Sequence, residues 1–280
     1  MAGNSVPVIN GAEHAWVTSD PRFPIIPGEA SCSIKSVPDR EYAAEHLISE
    51  MGVYGIDKTV ISHVCYYGRN NDYVSYAVKT WPDRFAGLGL LVGHRLWAPG
   101  DEANPDRLTH AMSEQGLAGA RLSPIYDKAK RWFDDASMEP FWERAQDLGA
   151  VFNVFLAPEQ VEQVANMAER FPGVKVVIDH IAMIDITAND DAGFGPLLEM
   201  HRLPNVYVRT SLHNPSNEAP PYRDVWPFLE RLYDVYGAER MLFGNFFEYL
   251  IMKDMIPFFT DADKQWILGG TAEGIYFSVK

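Results

Sequence analysis

Short apolar runs rich in β-branched residues recur along the chain, and amphipathic stretches separate them. The runs at 6–9, 59–64, 85–92, 119–122, 151–156, 175–178, 206–209 and 241–244 predict eight strands. The near-continuous hydrophobicity of 151–156 and 174–178 is what a strand covered on both faces requires, and such strands are usually parallel. Between them, 40–51, 70–81, 105–115, 137–148, 158–171 and 224–236 carry helical periodicity, several ending at Gly or Pro. Trp81-Pro82 and Phe171-Pro172 each stop a helix and feed the next strand. The alternation predicts an α/β fold, a (β/α)8 TIM barrel formed by residues 1–280 as a single domain, with a C-terminal helix over 261–275 closing it. An open doubly wound sheet is the alternative, but no Gly-x-Gly-x-x-Gly turn follows the first strand. The stretches 20–38 and 212–223 are too long for simple βα turns and read as lids or binding loops.

A chain of 280 residues with 47% hydrophobic and 22% charged positions can bury a sizeable core. Its formal charge of −14 would repel phosphate backbones and anionic lipid, and there is no basic run to offset it. No apolar run approaches the roughly 20 residues of a membrane span, and residues 1–10 lack the features of a signal peptide. The expectation is a cytoplasmic protein with a small-molecule substrate and no nucleic-acid or membrane partner. Cys32 and Cys65 are the only cysteines, outside any Cys-x-x-Cys pattern, and read as buried free thiols.

In a barrel the chemistry sits at the C-terminal ends of the strands, and this sequence is polar there. The first strand ends in Glu13-His14-Ala15-Trp16, the second in His63 with Tyr66 and Tyr67 beyond, and the fourth in Arg121. The fifth carries Asn153, the sixth ends in Asp179-His180, the seventh gives Arg209 and His213, and the eighth gives Asn245 and Glu248. Histidines are tunable around neutrality and suit acid/base work. Arg121 and Arg209 are natural partners for a substrate carboxylate. Trp16, Tyr66, Tyr67, Phe155, Phe246 and Phe247 would make the pocket aromatic, whereas His46, His94, His110 and His201 fall in helix or loop contexts that suggest the surface.

The run Ile9-Asn10-Gly11-Ala12-Glu13-His14-Ala15-Trp16 resembles the opening Ile-Asp-x-His-x-His-x-Trp of the amidohydrolase-related TIM-barrel hydrolases. Gly55 to Val60, Trp81 to Phe85, Gly119 to Leu122, Val177 to His180 and Glu239 to Gly244 follow in that family's order and spacing, so the resemblance covers nearly the whole chain. It implies a metal centre of two histidines at the first strand, one each at the fifth and sixth, and an aspartate at the eighth. Here His14 and His180 match, while Ala12, Phe155 and Phe246 stand at the other three positions. Alanine and phenylalanine cannot ligate, so no metal cofactor is expected. The fallback is one divalent ion held by His14, His180 and an acid, Glu13 or Glu248.

The resemblance then implies a metal-independent hydrolase that cleaves a lactone, ester or amide in a small organic acid, aromatic ones included. His14 and His180 would serve as acid and base, Glu248 would stand in for the missing aspartate, and Asp179 would orient an imidazole. Glu13, Trp16, His63, Tyr67, Arg121, Asn153, Phe155, Arg209, His213 and Phe246 would contact the substrate. A lyase or isomerase, such as a decarboxylase, dehydratase or C–C bond cleaver, needs no hydrolytic water and is the rival. A non-catalytic binding barrel is the third reading, and a homo-oligomer is a further expectation from the resemblance.

Overall fold

A computed structural model describes residues 6–27, 38–92, 99–128, 131–188 and 194–278. Its eight strands are β1 (Ile9–Glu13), β2 (Lys58–Ser62), β3 (Phe85–Leu90), β4 (Gly119–Leu122), β5 (Val151–Val154), β6 (Lys175–Ile178), β7 (Val206–Thr210) and β8 (Met241–Phe243). They lie side by side in chain order, every neighbouring pair parallel. The helices between them are α1 (Ala44–Tyr54), α2 (Asp72–Thr80), α3 (Asn104–Ser113), α4 (Glu139–Leu148), α5 (Val161–Arg170), α6 (Phe194–Glu199) and α7 (Trp226–Tyr236), with α8 (Asp261–Gln265) after β8. This is a (β/α)8 barrel. Among the described residues no helix is long and apolar enough to cross a membrane.

Most elements fall where the periodicity places them, and the differences have local causes. The first strand begins at Ile9 rather than Val6, because Pro7 has no N–H for a ladder and the register with Lys58 starts at Ile9. The helix expected over 158–171 opens as a 3-10 turn at Pro158–Gln160 before α5, and that expected over 224–236 as one at Arg223–Val225 before α7. The closing helix is α only over Asp261–Gln265, then continues in π turns at Trp266–Gly270 and Glu273–Phe277. Helix α6 is absent from the sequence reading. Of the long loop at 20–38, residues 28–37 lie outside the described residues, as do Cys32 and His94. Cys65 is disulfide-bonded, which corrects its reading as a free thiol.

Two apolar layers hold the barrel. Outside, Trp142, Phe152, Leu47, Met51, Val164 and Leu229 pack helices on strands, and all are fully buried. Each such side chain contributes about 1.5–3 kcal/mol by leaving water. Inside, Ile9, Val60, Leu88, Val151, Val177 and Leu242 form a separate cluster completed by Ala272, Ile275 and Tyr276 from the C-terminal segment. Successive side chains alternate across a strand, so Asn153, Asp179 and Arg209 share the inner face with Val151, Val177 and Tyr207, one layer nearer the C-terminal ends. That next layer is polar, and it forms the floor of the mouth.

Side chains help close the β8–β1 seam. Asn10 Oδ1 accepts the Asn245 N–H at 2.9 Å. At Gly11 the backbones approach so closely that a Cβ would lie 2.6 Å from the Phe243 carbonyl oxygen, which excludes any larger residue. The register of β1 against β2 slips between Asn10 and Glu13, and such a bulge re-aims side chains. Its consequence is that Ala12, Glu13 and His14, consecutive in sequence, all reach the same cavity.

Candidate active site

A cavity of about 190 Å³ opens at the C-terminal ends of the strands. It is lined by Ala12, Glu13 and His14 from β1, Ser62 from β2, Arg121 from β4 and Tyr126 beyond it. Phe155 follows β5, Asp179 and His180 follow β6, Arg209 comes from β7, and Asn245 follows β8. A larger cavity of about 450 Å³ lies away from the mouth, beside α2 and α3, lined by Arg69, Asp106, Arg107 and His110 among others. Its charges are largely matched, since Asp101 pairs with Arg107 at 2.8 Å and lies 3.7 Å from Arg69. The barrel mouth, where titratable groups converge, is the candidate for chemistry.

Arg209 organises the floor. Only 3% of its side chain is exposed, and its Nε donates to Asp179 Oδ1 at 2.8 Å, Nη1 to Ser211 Oγ at 3.0 Å and Nη2 to His180 Nε2 at 3.0 Å. A guanidinium has no acceptor, so His180 Nε2 is the bare nitrogen and its proton sits on Nδ1. Burial disfavours the Arg209 charge, yet the neighbouring Asp179 outweighs it and holds the guanidinium above its ordinary range. Burial likewise works against the Asp179 carboxylate, and Arg209 reverses this and lowers its pKa. Burial, then Arg209, pushes His180 down to about 2, so the ring is neutral.

His180 also begins an unusual turn. His180, Ile181, Ala182 and Met183 all have φ between 51° and 54°, a left-handed stretch without a glycine. Left-handed conformation costs an L-residue about 1–2 kcal/mol, so packing has to hold it. Ile181 and Ala182 are completely buried and supply that packing.

His14 is set differently. Its Nδ1 donates to the Ser62 carbonyl at 2.7 Å, leaving a bare Nε2 on a ring exposed to the cavity. The low-dielectric mouth, with Arg121 next in weight, lowers its pKa to about 4. Beside it, burial raises the pKa of Glu13 above the usual carboxyl range, because long 3.3 Å bonds from Asn10 Nδ2 and Phe246 N compensate only partly. The mouth therefore sets a carboxyl of raised pKa beside a histidine of lowered pKa. Arg121 donates from Nη1 to the His63 carbonyl at 3.0 Å, has no carboxylate within salt-bridge distance among the described residues, and faces the cavity with Tyr126. Burial lowers its pKa.

Eight of the residues singled out from sequence thus meet in the mouth: Glu13, His14, Arg121, Phe155, Asp179, His180, Arg209 and Asn245. The others do not line it. Glu248 is fully buried and accepts Leu212 N at 3.0 Å, His213 N at 2.9 Å and His213 Nδ1 at 2.5 Å, so it is turned toward the loop after β7. His213 stands at the rim, its ring 6.2 Å from that of His180 and 5.0 Å from Phe247. His63 donates from Nε2 to the Gly68 carbonyl, and Tyr67 exchanges hydrogen bonds with the Val17 backbone. Trp16 donates to the Arg40 carbonyl and packs on Tyr42 and Tyr66. Phe246 is buried against Tyr54. Asn153 is buried beneath the cavity, with Asp179 and Tyr276 as its partners. His46, His110 and His201 are exposed, as expected. Tyr126 and Ser62 line the mouth without having been singled out. Ser62 contributes a carbonyl, for which no residue type is a signal, and Tyr126 lies in a turn after β4 that periodicity does not reach.

The family model for amidohydrolases matches residues 14–277. The chain belongs to the amidohydrolase family. An L-fucono-1,5-lactonase of Burkholderia ambifaria is 27% identical over 116 residues, 41% of this chain and 40% of that protein's length. A probable 2-pyrone-4,6-dicarboxylic acid hydrolase of Acinetobacter baumannii, crystallised with citric acid, superposes with a TM-score of 0.74 at 15% identity over 96% of this amidohydrolase chain and 98% of its own. The 5-carboxyvanillate decarboxylase of Sphingomonas paucimobilis superposes with a TM-score of 0.66 at 16% identity over 98% and 99%.

The donors in this amidohydrolase mouth do not suit a divalent ion. Among the described residues no group of three or more His, Cys, Asp or Glu is arranged to hold one. Ala12 and Phe155 line the mouth without a ligating atom, and Phe246 lies outside it. His180 Nε2 already accepts a hydrogen bond from Arg209, whose cation would face any metal bound there. Of the fallback set, Glu248 bonds to His213 and His180 Nε2 to Arg209, while His14 and Glu13 line the cavity.

Proposed function

We propose that this amidohydrolase hydrolyses a lactone, ester or amide in a small organic acid, and does so without a metal ion. The observation that carries the reading is one cavity that joins an exposed, bare His14 Nε2, the Glu13 carboxyl with its raised pKa and the guanidinium of Arg121. Arg121 and Tyr126 hold a substrate carboxylate, and Phe155 covers an apolar or aromatic ring. His14 Nε2 takes a proton from water as the water oxygen bonds to the acyl carbon. The C–O or C–N bond then breaks, the leaving atom takes the Glu13 proton, and proton return from His14 to Glu13 restores the site. His180 is positioned against Arg209 and is the weaker base, so the acid/base pair is placed at Glu13 and His14 rather than at the two histidines. The lactonase and pyrone hydrolase among similar proteins accord with this reading.

Decarboxylation is the second reading. Glu13, whose raised pKa favours the acid form, is equally suited to deliver a proton to a carbon losing CO2, and a decarboxylase shares the fold. Incubating the protein with carboxylate-bearing lactones and aromatic carboxylic acids in H2¹⁸O separates the two. Hydrolysis places one ¹⁸O in the acid product. Release of CO2 with no ¹⁸O in the organic product would replace hydrolysis by decarboxylation.

A further inference from the structure

The closed end of the barrel is built by the C-terminal segment. Lys58 at the start of β2 binds Glu273 at 2.8 Å, and Lys175 at the start of β6 donates to the Gly274 carbonyl at 3.0 Å. These contacts seat Ile275 and Tyr276 inside the apolar inner cluster. A phenylalanine would fill that space equally well, and a buried hydroxyl is unfavourable there unless bonded. The Tyr276 hydroxyl donates to Asn153 Oδ1 at 2.6 Å. Asn153 Nδ2 then faces Asp179 Oδ1 at 3.4 Å, and Asp179 anchors the Arg209 fork. The direction of the relay is fixed chemically: an ionised Asp179 only accepts, so the amide presents its NH2 to Asp179 and its oxygen to the phenol.

We propose that Tyr276, reaching up from the closed end of the barrel, is a positioning residue of the active site. Through Asn153 and Asp179 it holds the Arg209 guanidinium at the angle that donates to His180 Nε2, and so fixes the histidine's tautomer and ring plane. It touches no substrate. The proposal rests on the reading of the mouth as the catalytic site, and its test separates the two.

The tautomer of His180 is read directly from ¹⁵N shifts of the imidazole in the full chain, with no substrate needed. In the unaltered protein Nδ1 carries the proton and Nε2 is bare. Tyr276→Phe keeps the packing, frees the Asn153 amide to turn, and is expected to mix in the Nε2–H tautomer of His180. Phe277→Ala, a packing change on the neighbouring residue outside the relay, leaves the tautomer as it was. If Tyr276→Phe fails to fold, Asn153→Ala removes the acceptor instead and gives the same His180 change. With a substrate in hand, kcat in Tyr276→Phe falls about tenfold at unchanged KM, the mark of misplaced rather than missing groups. His180 signals in the variant that superimpose on the original, or an equal change in Phe277→Ala, overturn the proposal. A changed tautomer with unaltered turnover keeps the relay and removes the mouth from the catalytic reading.

Discussion

Arg209 donates to His180 Nε2 at 3.0 Å, so a fixed cation faces that bare histidine nitrogen. The same guanidinium is ion-paired with Asp179 and fully out of water. Breaking one side of a buried pair strands the other charge, at a cost of about 3–5 kcal/mol. Arg209→Met is therefore expected to lower the unfolding free energy, read from urea titration, by that amount. A variant as stable as the parent would show that the pair is dispensable.

Stability should also depend on pH through the two mouth histidines. Their folded pKa values lie below the unfolded value of 6.5, His14 at about 4 and His180 at about 2. As pH falls from 6.5 the unfolded chain takes up protons that the native state refuses, so stability falls with it. The His14 contribution is fully lost by about pH 4, and that of His180 continues lower. Glu13 acts oppositely, its raised pKa favouring the native state as pH falls toward the usual carboxyl value of 4.5, but it is one group against two. Urea midpoints measured from pH 7 to 5 should fall, and should fall less in His14→Asn. A flat profile for the parent would contradict the two neutral rings.

Arg121 has no carboxylate partner among the described residues, so removing it strands no opposite charge. Arg121→Met should leave the melting temperature nearly unchanged. For a carboxylate-bearing substrate it should raise KM by roughly 10²-fold, the worth of about two charge-assisted hydrogen bonds. An unaltered KM would move carboxylate recognition elsewhere.

The donor set predicts indifference to chelation. Exhaustive dialysis against a chelator should change neither melting temperature nor turnover, and added zinc should give no upward shift. A site binding zinc in 100-fold excess over its Kd would add about 2.7 kcal/mol, a shift that calorimetry resolves. Such a shift, lost with the chelator, would restore a metal-dependent mechanism.

Glu248 gathers two backbone N–H groups and the His213 ring onto one buried carboxylate. Glu248→Ala leaves these donors without an acceptor, at about 1–3 kcal/mol for each that stays buried. The effect should be on stability and on proteolysis after Leu212 rather than on substrate affinity. Full stability would imply that the loop after β7 is held by other contacts.

Much of this was legible in the residues themselves. Apolar runs buried on both faces and amphipathic helices ending at glycine or proline are local signals, and they located the eight strands. The polar strand ends were legible for the same reason, since alternation alone puts Arg121, Asp179 and Arg209 on the inner face. Glu13 could be placed near the mouth, but its rise in pKa could not, because burial is a property of everything packed around it. Glu248 shows the converse. It follows β8 closely in sequence, yet the turn at Phe246–Glu248 aims it at His213 and away from the cavity.

By itself, then, the sequence determined the barrel and the set of charges at the strand ends. These follow from periodicity and residue chemistry, which act over a few neighbours. Tertiary structure alone decided which charges pair, which nitrogen of each histidine is bare, and that a phenol near the C-terminus reaches the floor of the mouth. Those are set by contacts such as Tyr276 with Asn153, 123 positions apart in sequence. No local rule constrains a distance that only the closed barrel makes short.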